Sequence, residues 1–487
     1  MAQNKKALGL CGLHKAQYPA EIRVSCKKEK GSYLSMAAAA TLKRPLFDRK
    51  SLTALILPLV IEQFLAMAIG AADTVMVSSC GEAAVSGISL VDSINILLIQ
   101  VFSALATGGA VVAAQYLGME RMEDAKKSAK QLMYVVLLTS LGIMALSLIF
   151  RKPLLRGIFG AIEPDVMENA QIYFFLSALS YPFLAVYNGG AALFRSMGNS
   201  KISMLTSFVM NGLNIVGNAV LIFGAGMGVT GAALATLISR VIGAVYMVWL
   251  LLKPENPLAI TGILNVQFQP HMIRSILRIG IPNGVENGLF QVGKILVASL
   301  ISSFGTYAIT ANAVANTLAG LECVPSSAIG LAMVTVVGQC VGAGDDAQTK
   351  RFTMLLMKIS YAAMLITDTV MILLCGVLVG FYNTTAETAE VARQLVIIHS
   401  VMGIIFWPAS FTLPCALRAA GDARFTMIAS LLSMWVCRIG CSFLLGNTFG
   451  LGVQGVWIAM TIDWVFRAAI FIWRFVTGGW KGKKVVS

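Results

Sequence analysis

The chain has 487 residues, of which 57% are hydrophobic and only 12% charged, against ~25% charged in an ordinary soluble domain. So few charges cannot cover a soluble protein of this length, and a mean hydropathy of +0.78 points to a bilayer instead. The net charge of +14 does not indicate nucleic acid, because the basic residues sit in the first 50 positions and in short stretches between apolar runs, which is the pattern of membrane topology.

Residues 1–45 are basic and mixed, with no apolar core of signal-peptide type, and are read as a disordered cytoplasmic tail. Nine Cys are scattered without a CxxC pair, and Cys11, His14 and Cys26 are too loosely spaced to specify a metal. From Leu52 onward, twelve apolar segments approach the ~20 residues that span a bilayer as a helix. They are 52–77, 86–112, 132–150, 170–192, 203–223, 229–252, 276–302, 308–340, 354–380, 394–416, 426–446 and 453–476. Their apolar runs are continuous rather than alternating, which argues for helices over barrel strands. The expected fold class is therefore an all-α integral membrane protein with twelve transmembrane helices. Segment 8 contains Pro325 and is expected to bend or to extend past the membrane.

Charge orients the chain. Placing both termini and the loops after even-numbered segments inside gathers about 28 Lys and Arg there. Only Arg151, Lys152, Arg156 and Arg393 remain in outer loops. The expectation is a multi-pass protein of the plasma (inner) membrane, embedded in lipid, with both termini cytoplasmic.

An internal repeat organises the segments. Leu57-Pro58-x3-Glu62 returns as Ile281-Pro282-x3-Glu286, 224 residues later. The same offset relates Gln115-x2-Gly118 to Gln339-x2-Gly342, and Gly226-x-Gly228-x2-Gly231 to Gly450-x-Gly452-x2-Gly455. Arg195-x2-Gly198 and Arg418-x2-Gly421 agree within one residue. The chain thus reads as two six-helix halves, 46–253 and 272–476, related by a pseudo-two-fold axis. A cytoplasmic linker at 254–271 joins them and a basic cytoplasmic tail follows at 477–487. Parallel six-helix repeats are a common plan of secondary transporters, with the site between the halves. The GxGxxG strings lie between apolar helices and lack the strand and downstream acid of a dinucleotide site, so they predict tight interhelical turns.

Ionisable groups inside spans are costly, ~2.5–3.5 kcal/mol for an acid at the helix centre, so each needs a partner or a role. Asp73 has suitable neighbours within its own half: Asn214 and Asn218, one turn apart on one helix face, and Thr236. One carboxylate, two amides and a hydroxyl could cage a hard monovalent cation, and the carboxylate alone could carry a proton; a structural hydrogen-bond cluster is the other reading. Glu62 and Glu286 occupy equivalent places in the two halves and are candidates for the substrate cavity, together with Lys294 and Arg438. Alternatively, Glu286 packs as a partner of Lys294 or Arg438. Asp92, Glu322, Asp368 and Asp463 read as ion-pair partners or helix-end residues, and Asp463 and Arg467 stand four apart, able to pair directly.

The run Ala72-Asp73-Thr74-Val75-Met76-Val77, the pair Asn214-x3-Asn218 and the string Gly228-x2-Gly231-Ala232-Ala233-x-Ala235-Thr236 resemble the multidrug and toxic compound extrusion (MATE) family, in its NorM-like or a related bacterial branch. The resemblance runs from Leu52 to Trp473. It implies an antiporter that expels organic, often cationic or amphipathic, compounds by alternating access in exchange for Na⁺ or H⁺. It also implies a cation site, a possible Na⁺ site, at Asp73, Asn214, Asn218 and Thr236. One branch of the family has Asp where this chain has Asn218, a departure that tilts the expectation towards Na⁺. At the repeat offset Asp73, Asn214 and Thr236 become Val297, Arg438 and Met460, so one ion site is expected, in the N-terminal half. No HExxH, GxSxG or Walker A string occurs, which argues against an enzyme and against ATP as the energy source. No cofactor beyond the coupling ion is expected. The alternative is a lipid-linked oligosaccharide flippase of the same superfamily, which should line its cavity with excess basic residues.

Overall fold

The computed structural model describes residues 45–160, 162–262 and 265–486. The tail expected at 1–45, with Cys11, His14 and Cys26, falls almost wholly outside them. The chain divides into two units, Met1–Leu46 and Phe47–Ser487, and all that follows concerns the second.

Among the described residues this unit is helical throughout, with no strand. The first half contains α1 (Arg49–Ser78), α2 (Glu82–Gly118), α3 (Met122–Ile149), the short α4 (Arg151–Phe159), α5 (Pro164–Ser196), α6 (Ser200–Gly224) and α7 (Gly228–Leu252). The second contains α8 (Pro270–Ser302), α9 (Thr306–Gly342), α10 (Asp346–Gly380), α11 (Ala386–Ala419), α12 (Ala423–Thr448) and α13 (Gly452–Val476). Eleven are long and apolar enough to cross a membrane. The remaining long helix, α8, has 33 residues but carries Arg274, Arg278, Glu286 and Lys294, which dilute its hydropathy. The helices outrun their apolar segments because polar ends continue the helix beyond the expected bilayer; α2 reaches Gly118 rather than residue 112. The helix α9 is continuous through Pro325. Apolar periodicity did not indicate α4, whose nine residues Arg151–Phe159 are strongly two-faced.

The GxGxxG strings form tight turns. Gly226 and Gly228 take φ of 65° and 54°, and their repeat mates Gly450 and Gly452 take 69° and 55°. Glycine tolerates these left-handed values where other residues strain. Each third glycine lies against the preceding helix: a Cβ on Gly231 would come 3.0 Å from the Leu221 carbonyl carbon, and one on Gly455 2.8 Å from that of Leu445.

The halves meet through pseudo-symmetric pairs, α2 against α8 and α1 against α9. They close tightest where α2 crosses α9, on the face that carries the 253–269 linker, here called the linker face. A Cβ on Gly118 would sit 1.9 Å from the Gln339 carbonyl oxygen, and one on Gly342 2.0 Å from that of Gln115. The side chains cross as well. Gln115 Nε2 donates to the Ala419 carbonyl at 2.8 Å, and Gln339 Nε2 donates to the Ser196 carbonyl at 2.8 Å. The repeated Gln-x2-Gly motif is thus a reciprocal clasp.

The C-terminal segment packs onto this clasp. Trp480 is buried and stacks on Phe475 at 5.8 Å. The backbone N–H of Val485 donates to Gln115 Oε1 at 3.0 Å, and Ser275 Oγ donates to the Val485 carbonyl at 3.0 Å.

Candidate functional site

In the N-terminal half, α1, α6 and α7 bring all four expected cation ligands together. Asn218 Nδ2 donates to Asp73 Oδ1 in a short hydrogen bond, and Asn214 Nδ2 donates to Thr236 Oγ1 at 3.1 Å. Asn218 Nδ2 also reaches Asn214 Oδ1 at 3.5 Å. Asn218 is completely buried, and its Oδ1 has no hydrogen-bond partner among the described residues. A buried amide oxygen without a donor is costly, and a cation or a water offsets that cost. The four side chains therefore offer one carboxylate and three neutral oxygens. A hard monovalent ion accepts such a set.

Behind this cluster lies a second polar layer. Asp92 accepts from Asn95 at 3.1 Å and from Tyr173 at 3.3 Å, while Tyr181 donates to Asn95 Oδ1 at 2.8 Å. Arg240 donates to Ser180 Oγ at 2.7 Å from α7. Tyr173, Tyr181 and Ser180 had no signal in the sequence, because tyrosines and serines on an apolar helix look like ordinary packing residues.

The repeated Pro-x3-Glu and Arg-x2-Gly motifs are joined within each half. Glu62 accepts from Ser203 Oγ at 2.8 and 3.0 Å and pairs with Arg195 at 3.6 Å. Glu286 accepts from Ser430 Oγ at 2.7 Å and pairs with Arg418 at 3.3 Å. These are one ion pair built twice. Both acids are buried, and Glu286 has Arg418 rather than Lys294 or Arg438 as its partner.

A cavity of about 490 Å³ opens mainly in the C-terminal half, with Gln100 of α2 on its N-terminal wall. Of the four expected cavity residues, Glu286, Lys294 and Arg438 line it and Glu62 does not. Arg418 and Arg467 also reach its wall. Asp463, wholly buried, pairs with Arg467 at 2.9 Å, as the four-residue spacing suggested, and with Arg438 at 3.7 Å.

Of the remaining acids in spans, Glu322 is bound by His399 Nδ1 at 2.5 Å and accepts from Ser400 Oγ at 2.6 Å. Asp368 is fully buried, and neither carboxylate oxygen has a hydrogen-bond partner among the described residues. No group of three or more His, Cys, Asp or Glu among the described residues could hold a metal ion.

A duplicated bundle of membrane-length helices, with buried polar clusters in both halves and a central cavity, defines an integral membrane transporter of the inverted or parallel repeat kind, here parallel. A family model described as MatE matches the chain twice, at residues 58–220 and 282–444, reproducing the repeat. The chain belongs to the MATE family of multidrug-resistance transporters, on its NorM-like side. It is 30% identical over 460 residues to the uncharacterized transporter YisQ of Bacillus subtilis, covering 91% of this chain and 97% of that protein. It is 26% identical to the probable multidrug resistance protein NorM of Thermotoga maritima, over 90% and 94% of the two chains. A solved outward-facing multidrug resistance MATE family transporter of the MOP superfamily superposes with a TM-score of 0.83 at 21% identity, over 89% of this chain and 96% of that one.

Proposed function

We propose that this protein is a secondary antiporter that exports small amphipathic organic compounds, driven by a cation that enters the Asp73 cluster. The observation that carries the reading is the buried, partnerless Oδ1 of Asn218 beside the Asp73 carboxylate. Na⁺ suits this donor set, since Asn214, Asn218 and Thr236 supply neutral oxygens and only Asp73 supplies charge. Positive-inside asymmetry supports placing the linker face in the cytoplasm. The Gln-x2-Gly clasp then closes the cytoplasmic side while substrate leaves on the other. The ion performs work only if it favours one state of the clasp over the other.

The test is efflux of a fluorescent amphipathic compound from proteoliposomes with Na⁺ and pH gradients imposed separately, for the native protein and Asp73→Asn. Transport driven by Na⁺ and abolished by the substitution supports the reading. Transport driven by a pH gradient alone would replace Na⁺ by a proton on Asp73. Transport unchanged by Asp73→Asn sinks the cluster as the coupling site.

A second reading, flipping of a lipid-linked pyrophosphate, draws on the excess of basic residues in the cavity wall. The exporter is favoured because about 490 Å³ lies in the ~300–1,000 Å³ range of sites for drug-sized molecules. A glycan on a polyprenyl chain is far larger.

A further inference from the structure

We propose that the C-terminal half carries an organic-anion site at the pseudo-two-fold mate of the cation cluster, and that the exported compounds are aromatic carboxylates or sulfonates. This rests on the export reading only for its second clause, and it replaces the cationic class that the family resemblance implies.

The repeat supplies the first argument. At the offset of 224, Asp73, Asn214 and Thr236 correspond to Val297, Arg438 and Met460. All three of these mates, with Lys294, line a side chamber of about 220 Å³, and that chamber shares Lys294, Arg438 and Met460 with the main cavity. The cluster thus loses its carboxylate, Asp73 giving way to Val297, and gains a guanidinium, Arg438, at the mate of Asn214. Its electrostatic sign is inverted.

The charge count supplies the second argument. Lys294, Arg418, Arg438 and Arg467 face the cavity against a single lining acid, Glu286. Adding Asp463 behind Arg467 and Arg438 still leaves two positive charges in excess. Glu286 is engaged by Arg418, and Asp463 lies closer to Arg467 than to Arg438, at 2.9 against 3.7 Å. Arg438 Nε is buried with no hydrogen-bond partner, and Lys294 makes no ion pair or hydrogen bond among the described residues. Unbalanced positive charge inside a membrane bundle is costly unless an anion joins it. An organic cation entering here would meet the same excess as repulsion.

The walls indicate what the anion is attached to. Arg438 and Arg467 lie over the Phe290 ring at 5.5 and 5.4 Å. Phe411 meets Phe290 edge-on at 6.5 Å and lies 5.0 Å from Trp407, so the three rings form one continuous aromatic wall. A planar aromatic body can lie against this wall while its carboxylate or sulfonate meets Lys294 and Arg438.

The experiment is direct binding to the full-length protein in lipid nanodiscs, read by fluorescence anisotropy, with fluorescein as the aromatic anion and ethidium as the aromatic cation. Fluorescein is expected to bind more tightly than ethidium. Lys294→Gln removes one charge-assisted contact and is expected to weaken fluorescein about tenfold. Lys294→Glu cancels the two-charge excess and is expected to abolish the preference for fluorescein over ethidium. Because Lys294 holds no ion pair among the described residues, these variants are expected to keep the fold. Tighter binding of ethidium, no binding of fluorescein, or fluorescein affinity indifferent to both substitutions overturns the proposal. Displacement of fluorescein by polyprenyl pyrophosphate at equal concentration overturns it in favour of the flippase. If fluorescein binds as expected but no ion gradient moves it across proteoliposomes, the anion site stands and the export reading fails.

Discussion

His399 is a single residue on which the burial of an acid depends. Its ring holds Glu322 at 2.5 Å and packs edge-on against Trp464 at 5.0 Å, inside a bundle where neither partner reaches solvent. Removing the ring leaves a buried carboxyl oxygen without its hydrogen-bond partner, at a cost of about 1–3 kcal/mol. His399→Ala is therefore expected to lower the thermal unfolding temperature of the detergent-solubilised protein sharply. Adding Glu322→Gln to that variant is expected to recover most of the loss, since an amide is less costly than a carboxylate to bury short of a partner. Equal melting of His399→Ala and the native protein would show that Ser400 alone suffices for Glu322. At this scale the sequence was legible where partners share a helix, and at the Asp73 cluster, whose members on α1, α6 and α7 the structure brings together. Asp463 and Arg467, four apart, announce their contact, and Asn214 and Asn218 announce a shared face. Glu322 and His399 are 77 residues apart on different helices, and no spacing rule connects them. The Glu62–Arg195 and Glu286–Arg418 pairs were visible as repeated motifs, but only the packing of α1 on α6, and of α8 on α12, brings each Glu beside the arginine that ends the preceding helix, α5 or α11.

Elements bring the same lesson through contact distance. Twelve long helices follow from apolar runs because lipid leaves helix as the economical way to satisfy a spanning backbone. The helix α4 was not legible, since nine residues with three basic side chains carry no spanning signal. The Gln-x2-Gly repeat was visible as a pattern, yet its meaning depends on how α2 and α9 cross. There, a methyl on Gly118 would fall 1.9 Å from the Gln339 carbonyl oxygen, closer than any side chain can sit. Backbone cannot yield as a flexible side chain does, so Gly118→Ala is expected to part the two helices at the linker face. Cys340 reports on this directly, being fully buried next to Gln339 on α9. Its labelling by a maleimide, followed by mass spectrometry, is expected to accelerate in Gly118→Ala. Gly142→Ala is the control, as no atom lies within 4 Å of the added methyl. If both variants label like the native protein, the clasp is not what keeps this face shut.

On the scale of the whole molecule, the two halves are joined by more than the linker. The C-terminal segment, expected as a basic tail, ties elements of both halves together. Arg474 and Lys483 converge on Asp422 at 2.8 and 3.6 Å, between α11 and α12. The Lys483 carbonyl lies so close to Gly421 that a Cβ there would approach it to 2.1 Å. Two residues further on, Val485 is held between Gln115 of α2 and Ser275 of α8, and Val486 is buried against apolar residues of the N-terminal half. Gln115 thus binds Ala419 through its amide nitrogen and Val485 through its amide oxygen, satisfying both ends in one closed arrangement. Gln339, its repeat mate, donates to Ser196 in the same way, but the hydrogen bond from a chain terminus is special to Gln115. The segment therefore breaks the pseudo-symmetry on the linker face and adds contacts to both halves there. Deleting residues 482–487 is expected to raise the open population there. Amide exchange at 115–121 and 418–423 reads that population, because local opening frees the hydrogen bonds that protect those residues. Faster exchange confined to these stretches supports a strap that favours the closed state. Exchange as slow as in the full-length chain would assign closure to the Gly118–Gly342 crossing alone.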